Sequence, residues 1–188
     1  MYIIYNLYLR FTTGTMNELT ITTVGLEDFF YGYRLSDGSV VNVRIMDTGG
    51  QERFNSINEK FYKQADCCLL VYDVTSEKSF ERIKNYYIKT IKQNCSSISK
   101  VLLLGNKTDL KEQRKISPKE GADLAQKNGY YFMESSCVDN YNVSDAFTTL
   151  IEMINNELFK TDYKKNNIKL KSEKNDNNNK VKVKKKKC

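Results

Sequence analysis

The sequence contains no histidine and no tryptophan, only one proline, and five cysteines among 188 residues. Without histidine, imidazole acid/base catalysis and His-ligated zinc are both excluded. The cysteines, Cys67, Cys68, Cys95, Cys137 and Cys188, are odd in number and follow no metal-ligand spacing. A disulfide framework is therefore not expected, and a reducing cytosolic setting fits better. The apolar N-terminal stretch MYIIYNLYLRF is interrupted by Arg10 and is far too short to span a bilayer. It also lacks a basic n-region and a small-residue cleavage site, so it reads as a core strand or helix rather than a signal peptide.

What is present is a globular composition, 40% hydrophobic and 12% aromatic, with length for one α/β domain plus a tail. The formal net charge of +7 is unevenly spread. Residues 161–188 carry eleven lysines and three acidic residues, a surplus of +8, which leaves residues 1–160 at −1. A near-neutral body with a basic arm argues against a nucleic-acid partner for the body.

The pattern along the chain alternates strands and helices. Leu7 to Phe11 finishes a helix that Thr12 to Thr15, with Gly14, would close, while Tyr2 to Tyr5 offers an improvised strand. Residues 28–35 and 40–46 flank Ser36-Asp37-Gly38-Ser39, a strong hairpin signal, and Val41, Val43 and Ile45 alternate with polar residues. A short helical stretch should run through Phe61 and Tyr62. Cys67 to Val74 is a continuous apolar run, as expected of a strand covered on both faces. Ser76 to Asn94 is helical by pattern, with Phe80, Ile83, Tyr87 and Ile91 on one face. Val101 to Leu104 is a second apolar strand. Ser117-Pro118-Lys119-Glu120 is a capping box opening a helix that stops at Asn128-Gly129. Tyr130 to Met133 is a short strand, and a last helix runs from about Val143 to Lys160. Beyond it, low-complexity Asn/Lys sequence reads as disordered. The expectation is a doubly wound α/β domain over residues 1–160, mostly parallel, with helices on both faces, and a polybasic tail over 161–188.

In such a fold, ligands sit at the carboxyl ends of the strands, where three polar clusters fall. DTGGQERF, Asp47 to Phe54, follows the run ending at Met46 with an acid, two glycines and an amide, the makings of a loop that senses phosphate. NKTD occupies residues 106–109, and ESSC occupies 134–137.

These motifs, in this order on strand ends, resemble those of a Ras-superfamily small GTPase. LLVYDVT and ITTVG narrow the resemblance to the Rab branch, from about Leu7 to Lys160. The resemblance implies GTP/GDP and Mg²⁺ as cofactors. Thr48, Gly49 and Gly50 would lie in the nucleotide-binding loop with Asp47. Asp47 would hold Mg²⁺ through water, together with Thr23, Gly50 would offer its N–H to the terminal phosphate, and Gln51 would orient the attacking water. Asp109 would accept both N–H donors on one guanine edge, which adenine could not satisfy. Asn106 would tie neighbouring loops to the purine, and the Lys107 stem would lie along its face. Ser136-Cys137-Val138 matches the family's Ser-Ala-Lys loop, which offers a backbone N–H to the guanine oxygen; the usual lysine is lost.

Thr23, Val24, Gly25, Phe29, Met46 and Tyr62 match the effector region, with Met46 in place of tryptophan. Gly49 replaces the usual alanine, which loosens the loop. GLEDF, residues 25–29, carries one residue more than the family pattern, a candidate bulge. Exchange and activating proteins are further implied partners.

None of the nine glycines opens a G-x-x-x-x-G-K-[ST] phosphate loop, which by resemblance should precede Leu7 after a first, mid-sheet strand. The fold is thus expected to be incomplete at that strand, between the strands ending at Asp47 and at Val74, with two unpaired inner edges. Two readings follow: a Rab-like switch in vesicle trafficking that hydrolyses GTP slowly, or a degenerate membrane-tethered binding module with little nucleotide affinity. Cys188 follows Lys184 to Lys187 and matches a prenylation site, which adds a prenyl transferase and an anionic membrane surface as partners. One lipid chain anchors marginally. About six lysines from 180 on, at roughly 1 kcal/mol each near an anionic leaflet, would supply the second signal. The expected location is the cytoplasmic face of a membrane, through a lipid anchor.

Overall fold

The computed structural model of the chain describes residues 3–16, 26–48, 63–94 and 100–157. Helix α1 spans Ile3–Thr13 and ends where Gly14, at φ +72°, returns its N–H to the Arg10 carbonyl at 3.1 Å. The strand expected at Tyr2 to Tyr5 is not formed, because the helix already begins at Ile3. The apolar spacing of Ile4, Leu7 and Phe11 explains this: it stacks three side chains on one helical face, whereas a strand would divide them between two. All three pack into one core, Leu7 with no exposed surface.

Strands β1 (Leu26–Arg34) and β2 (Val40–Thr48) form an antiparallel hairpin. Its turn is closed by Gly38 at φ +88° and by Asp37, whose Oδ1 accepts the Ser39 N–H at 2.9 Å and hydroxyl at 2.6 Å. The register runs one-to-one from Arg34↔Val40 to Leu26↔Thr48, so the bulge expected within GLEDF is absent from its Leu26–Phe29 portion. β2 also continues two residues past Met46, because Asp47 and Thr48 still pair with Glu27 and Leu26.

A parallel sheet follows in the order β3 (Cys67–Asp73), β4 (Lys100–Asn106), β5 (Tyr131–Ser135). β5 extends beyond Met133, since Glu134 and Ser135 pair with Gly105 and Asn106. Helix α2 starts at Glu77–Arg82, widens through a π-helical turn at Ile83–Tyr87, and resumes at Ile88–Asn94. The widened turn brings Ile88, beside Ile83 and Ile91, onto the buried face. Helix α3 (Pro118–Asn128) opens with the full Ser117/Glu120 capping box and closes on left-handed Gly129. Residues 143–157 form helix α4.

Alternation along β3 and β4 divides the core into two halves. Leu70, Tyr72, Val74, Val101 and Leu103 pack with Phe80, Ile83, Ile88 and Ile91 of α2 and Ala125 of α3. Val71, Leu102 and Leu104 pack on the opposite side with Leu7 of α1 and with Val143, Ala146, Phe147 and Leu150 of α4. Helices therefore cover both faces.

The two sheets do not join. Among the described residues β2 pairs only with β1, and β3 only with β4. Between β2 and β3 lies an apolar slot of about 390 Å³. Its walls are Val41–Met46 on one side and Cys67–Leu69 on the other, above Ile4 of α1 and Phe147 and Leu150 of α4. α1 spans the break by side-chain packing instead. Its Tyr8 stacks on Phe29 of β1 at 4.2 Å, and its Phe11 meets Tyr31 at 5.0 Å and Phe147 at 4.6 Å.

Candidate functional site

Three strands of the parallel sheet end side by side in polar residues: β3 at Asp73, β4 at Asn106 and β5 at Ser135. Parallel register places Asp73 opposite Asn106 and Asn106 opposite Ser135, so the cluster follows directly from the ladder. Asn106 and Ser135 are buried, and burial of polar groups demands partners. The Ser135 hydroxyl donates to Asn106 Oδ1 at 3.1 Å, and the Asn106 amide nitrogen donates to Cys137 Sγ at 3.9 Å.

Past Asn106 the backbone turns sharply, with Lys107 at φ +71°. Lys107 Nζ meets Asp73 Oδ2 at 2.7 Å, which aims its stem back across the strand ends. Burial alone would raise the Asp73 pKa, but the bonds from Lys107 and Thr75 outweigh it and hold the carboxyl below its usual range. Thr108 binds the Ser135 carbonyl through its N–H at 3.2 Å and its hydroxyl at 3.1 Å. Asp109 is thereby carried over β5, where its Oδ1 accepts the Ser136 hydroxyl at 2.7 Å.

The loop after β5 is equally constrained. Ser136 and Tyr141 exchange both backbone bonds at 3.0 Å, and the Asp139 N–H donates to Ser136 Oγ at 3.0 Å. The Cys137 thiol is buried, which pushes its pKa up to about 11 despite the Asn106 hydrogen bond, so it is held as a neutral, unreactive thiol. From outside, Arg10 of α1 reaches the loop with Nε to the Cys137 carbonyl at 2.8 Å and a terminal nitrogen to the Val138 carbonyl at 3.1 Å.

The structure thus brings Asn106, Asp109, Ser136 and Cys137 together through hydrogen bonds, with Lys107 tied to Asp73 beside them. Asp47 stands apart on β2, in the other sheet, and is buried. Thr48 pairs through its backbone with Leu26 at the end of the hairpin. Phe29 packs inward on Tyr5 and Tyr8, whereas the exposed aromatic of β1 is its neighbour Phe30. Met46 sits opposite Asp28, so it projects on the other face of the hairpin from Phe29. Thr23, Val24, Gly25, Gly49, Gly50, Gln51, Tyr62 and Cys188 lie outside the described residues. Among the described residues no three His, Cys, Asp or Glu side chains converge as a metal site.

Sequence reasoning missed Asp73, Thr108, Ser135 and Arg10. An acid closing the apolar run CCLLVYD was a readable signal for Asp73. Nothing local marks Arg10 as a support for this loop, because its partners there lie 127 and 128 residues away.

The Asp109 carboxylate is an acceptor that fits a purine base carrying paired N–H groups. Asp109 is half-exposed, and its Oδ1 bond to Ser136 leaves Oδ2 without a hydrogen bond among the described residues. Fit to phosphates is a different matter. The first turn of α1 carries Ile4, which lines the slot, and Tyr5, which lies against Phe29. These are packing side chains rather than an anion cradle.

A doubly wound α/β domain, incomplete at one strand and carrying a polar cluster at its parallel strand ends, is the class this fold defines. Residues 5–156 match the family model described as the Ras family. The chain is 40% identical over 144 residues to Ras-related protein Rab-13 of Canis lupus familiaris, covering 77% of this chain and 70% of that protein. It is likewise 40% identical to Ras-related protein Rab-8B of Homo sapiens over 152 residues, 81% of this chain and 72% of that one. Ras-related protein Rab-8 of Diplobatis ommata gives 40% over 154 residues, 82% and 72%. The chain belongs to the Ras family of small GTPases, in its Rab branch.

Proposed function

We propose that the protein is a guanine-nucleotide switch of intracellular vesicle trafficking, binding GTP and GDP and hydrolysing GTP slowly. The observation that carries this reading is the Asn106–Asp109–Ser136–Cys137 group, in which Ser136 holds the Asp109 carboxylate by Oδ1 while Oδ2 has no hydrogen bond among the described residues. Asp109 accepts the two N–H donors of a guanine edge, and Asn106 and the Ser136–Val138 loop complete the base contacts. Thr23 and Asp47 would hold Mg²⁺, Thr48 and Gly49 would lie in the nucleotide-binding loop, and the Gly50 N–H would meet the terminal phosphate. Gln51 orients the attacking water. The surface of Thr23, Val24, Gly25, Phe29, Met46 and Tyr62 meets effectors, and exchange and activating proteins set the nucleotide state. The tail carries the membrane address, with Cys188 prenylated by a prenyl transferase and its lysines on an anionic leaflet. No helix among the described residues is long and apolar enough to cross a membrane.

The test is binding of a fluorescent guanine nucleotide to purified residues 1–188, with adenine nucleotide as competitor. Binding that guanine but not adenine nucleotide displaces supports the switch. Absence of guanine-selective binding refutes it.

A second reading, a membrane-tethered binding module with little nucleotide affinity, is favoured by the slot between β2 and β3 and by the packing residues that open α1. It requires that guanine nucleotide bind no more tightly than guanosine. Mass spectrometry of cell-derived protein tests the anchor in both readings, and a free thiol at Cys188 rejects it.

A further inference from the structure

We infer that Arg10 is a positioning residue for base recognition, coupling the loop after β5 to the end of α1; this rests on the guanine-binding reading above. Its guanidinium makes three hydrogen bonds to backbone carbonyls from two distant parts of the chain. Nε donates to Cys137 at 2.8 Å, one terminal nitrogen to Val138 at 3.1 Å, and the other to Gly14 at 2.7 Å. The planar fork makes these contacts without rotating, which a lysine cannot reproduce.

The consequence for the loop follows from peptide geometry. In a trans peptide the C=O and the following N–H point in opposite directions. Anchoring the Cys137 carbonyl on Arg10 therefore turns the Val138 N–H away from α1, and anchoring Val138 does the same for the Asp139 N–H. The Asp139 N–H is received by Ser136 Oγ, whose own proton goes to Asp109. Arg10 thus sits at the far end of a bonded chain that terminates on the base-reading carboxylate.

The third bond gives the coupling. Gly14 is the left-handed residue that closes α1, and the chain beyond it leads to Thr23. One side chain holds both the base loop and the start of that segment. Displacing either disturbs the other, so loss of base contact loosens the end of α1.

Arg10→Met, which keeps the apolar stem, and Arg10→Lys, which keeps the charge, test this on the full chain. In ligand-free protein, hydrogen exchange should quicken about tenfold at residues 14–16 and 136–139 in both variants, with the amides of β3, β4 and β5 unchanged. Unchanged exchange at either segment overturns the coupling, whatever the protein binds. Guanosine affinity should fall about tenfold, the worth of one hydrogen bond. Affinity for 2-aminopurine riboside, which lacks the purine oxygen and the neighbouring N–H and so binds more weakly from the outset, should not fall further. Equal loss for both nucleosides would make Arg10 a general stabiliser and overturn the positioning role. If exchange quickens while guanosine affinity is unmoved, the role in base recognition is likewise overturned. Wild-type protein that binds neither nucleoside would overturn the base-binding reading itself, with the exchange result still deciding the coupling.

Discussion

The carboxyl end of the parallel sheet and the hairpin with α1 are held together by different forces. At the strand ends of β3, β4 and β5 the register itself delivers Asp73, Asn106 and Ser135, and directional bonds, 2.7–3.2 Å between nitrogen and oxygen atoms, complete the group. The hairpin reaches the rest of the domain through side chains, with Phe29 on Tyr8 and Phe11 between Tyr31 and Phe147, next to a slot that no described strand fills. Directional bonds fix atoms to tenths of an ångström. Apolar packing fixes volume but tolerates small shifts. A site that must distinguish one purine edge from another belongs at the first kind of junction, and the comparison predicts that the two ends respond differently to damage.

The largest effect should come from the base end. Asp109→Asn replaces one carboxylate oxygen with an N–H donor, leaving one of the two guanine donors facing another donor. Guanosine affinity is expected to fall by about a thousandfold, from the loss of charge-assisted bonds and an unsatisfied contact. Xanthosine, which carries a carbonyl in place of the exocyclic amine, should gain in the same titration. Melting temperature should barely move. A large drop would mean that Asp109 serves the fold more than a ligand.

Next comes the bridge between the sheets. Leu7→Ala leaves a cavity where α1 meets β3, β4 and α4, and should cost about 3 kcal/mol, roughly 10 °C in Tm. Hydrogen exchange should quicken first in β1 and β2, because packing rather than pairing holds them. Uniform loosening of all five strands would erase the distinction drawn here.

Gly121→Ala probes the packing against the parallel sheet. A methyl there would lie 2.5 Å from the edge of the Phe132 ring and also strike the Tyr72 hydroxyl. Both rings are packed against neighbours, so overpacking should cost about 2 kcal/mol in a urea titration. No measurable cost would mean that this packing yields as readily as the hairpin.

The smallest effect belongs to Arg44→Met. Arg44 pairs with Asp28 across the hairpin, at 2.5 Å to Oδ2, but the side chains are 40% and 33% exposed. Removal should change stability by about 0.5 kcal/mol or less in the same titration, and less still in high salt.

The readable parts of the fold were those with strong local physics. Asp37-Gly38 announced the hairpin, Ser117-Pro118 with Glu120 announced α3, and the apolar runs at 67–74 and 101–104 announced two parallel strands. The break between the sheets could be anticipated from the family resemblance, and the two separate sheets are consistent with it. Three features escaped. The π-helical turn at Ile83–Tyr87 leaves a helical pattern that looks regular in sequence. Tyr2 to Tyr5 suggested a strand because four apolar residues are too few to separate the two periods. The Arg10 contacts join residues with no local signature, so only the folded chain displays them. For the candidate site, Asn106, Asp109 and Ser136 were legible as strand-end polar residues. Of their supports, Asp73 was readable as the acid closing an apolar run, whereas Thr108 and Ser135 act through contacts that no spacing encodes.

In the proposed switch, base recognition is built at the carboxyl end of the parallel sheet and needs no contact from the hairpin. It is tested most directly by titrating the 188-residue chain with guanosine and with adenosine, followed by NMR at the amides of residues 106–109 and 136–139. Neither ligand carries a phosphate, so the outcome does not depend on the hairpin end. Guanosine should shift these amides in a saturable way while adenosine leaves them in place. Equal responses to both, or none to either, would contradict it.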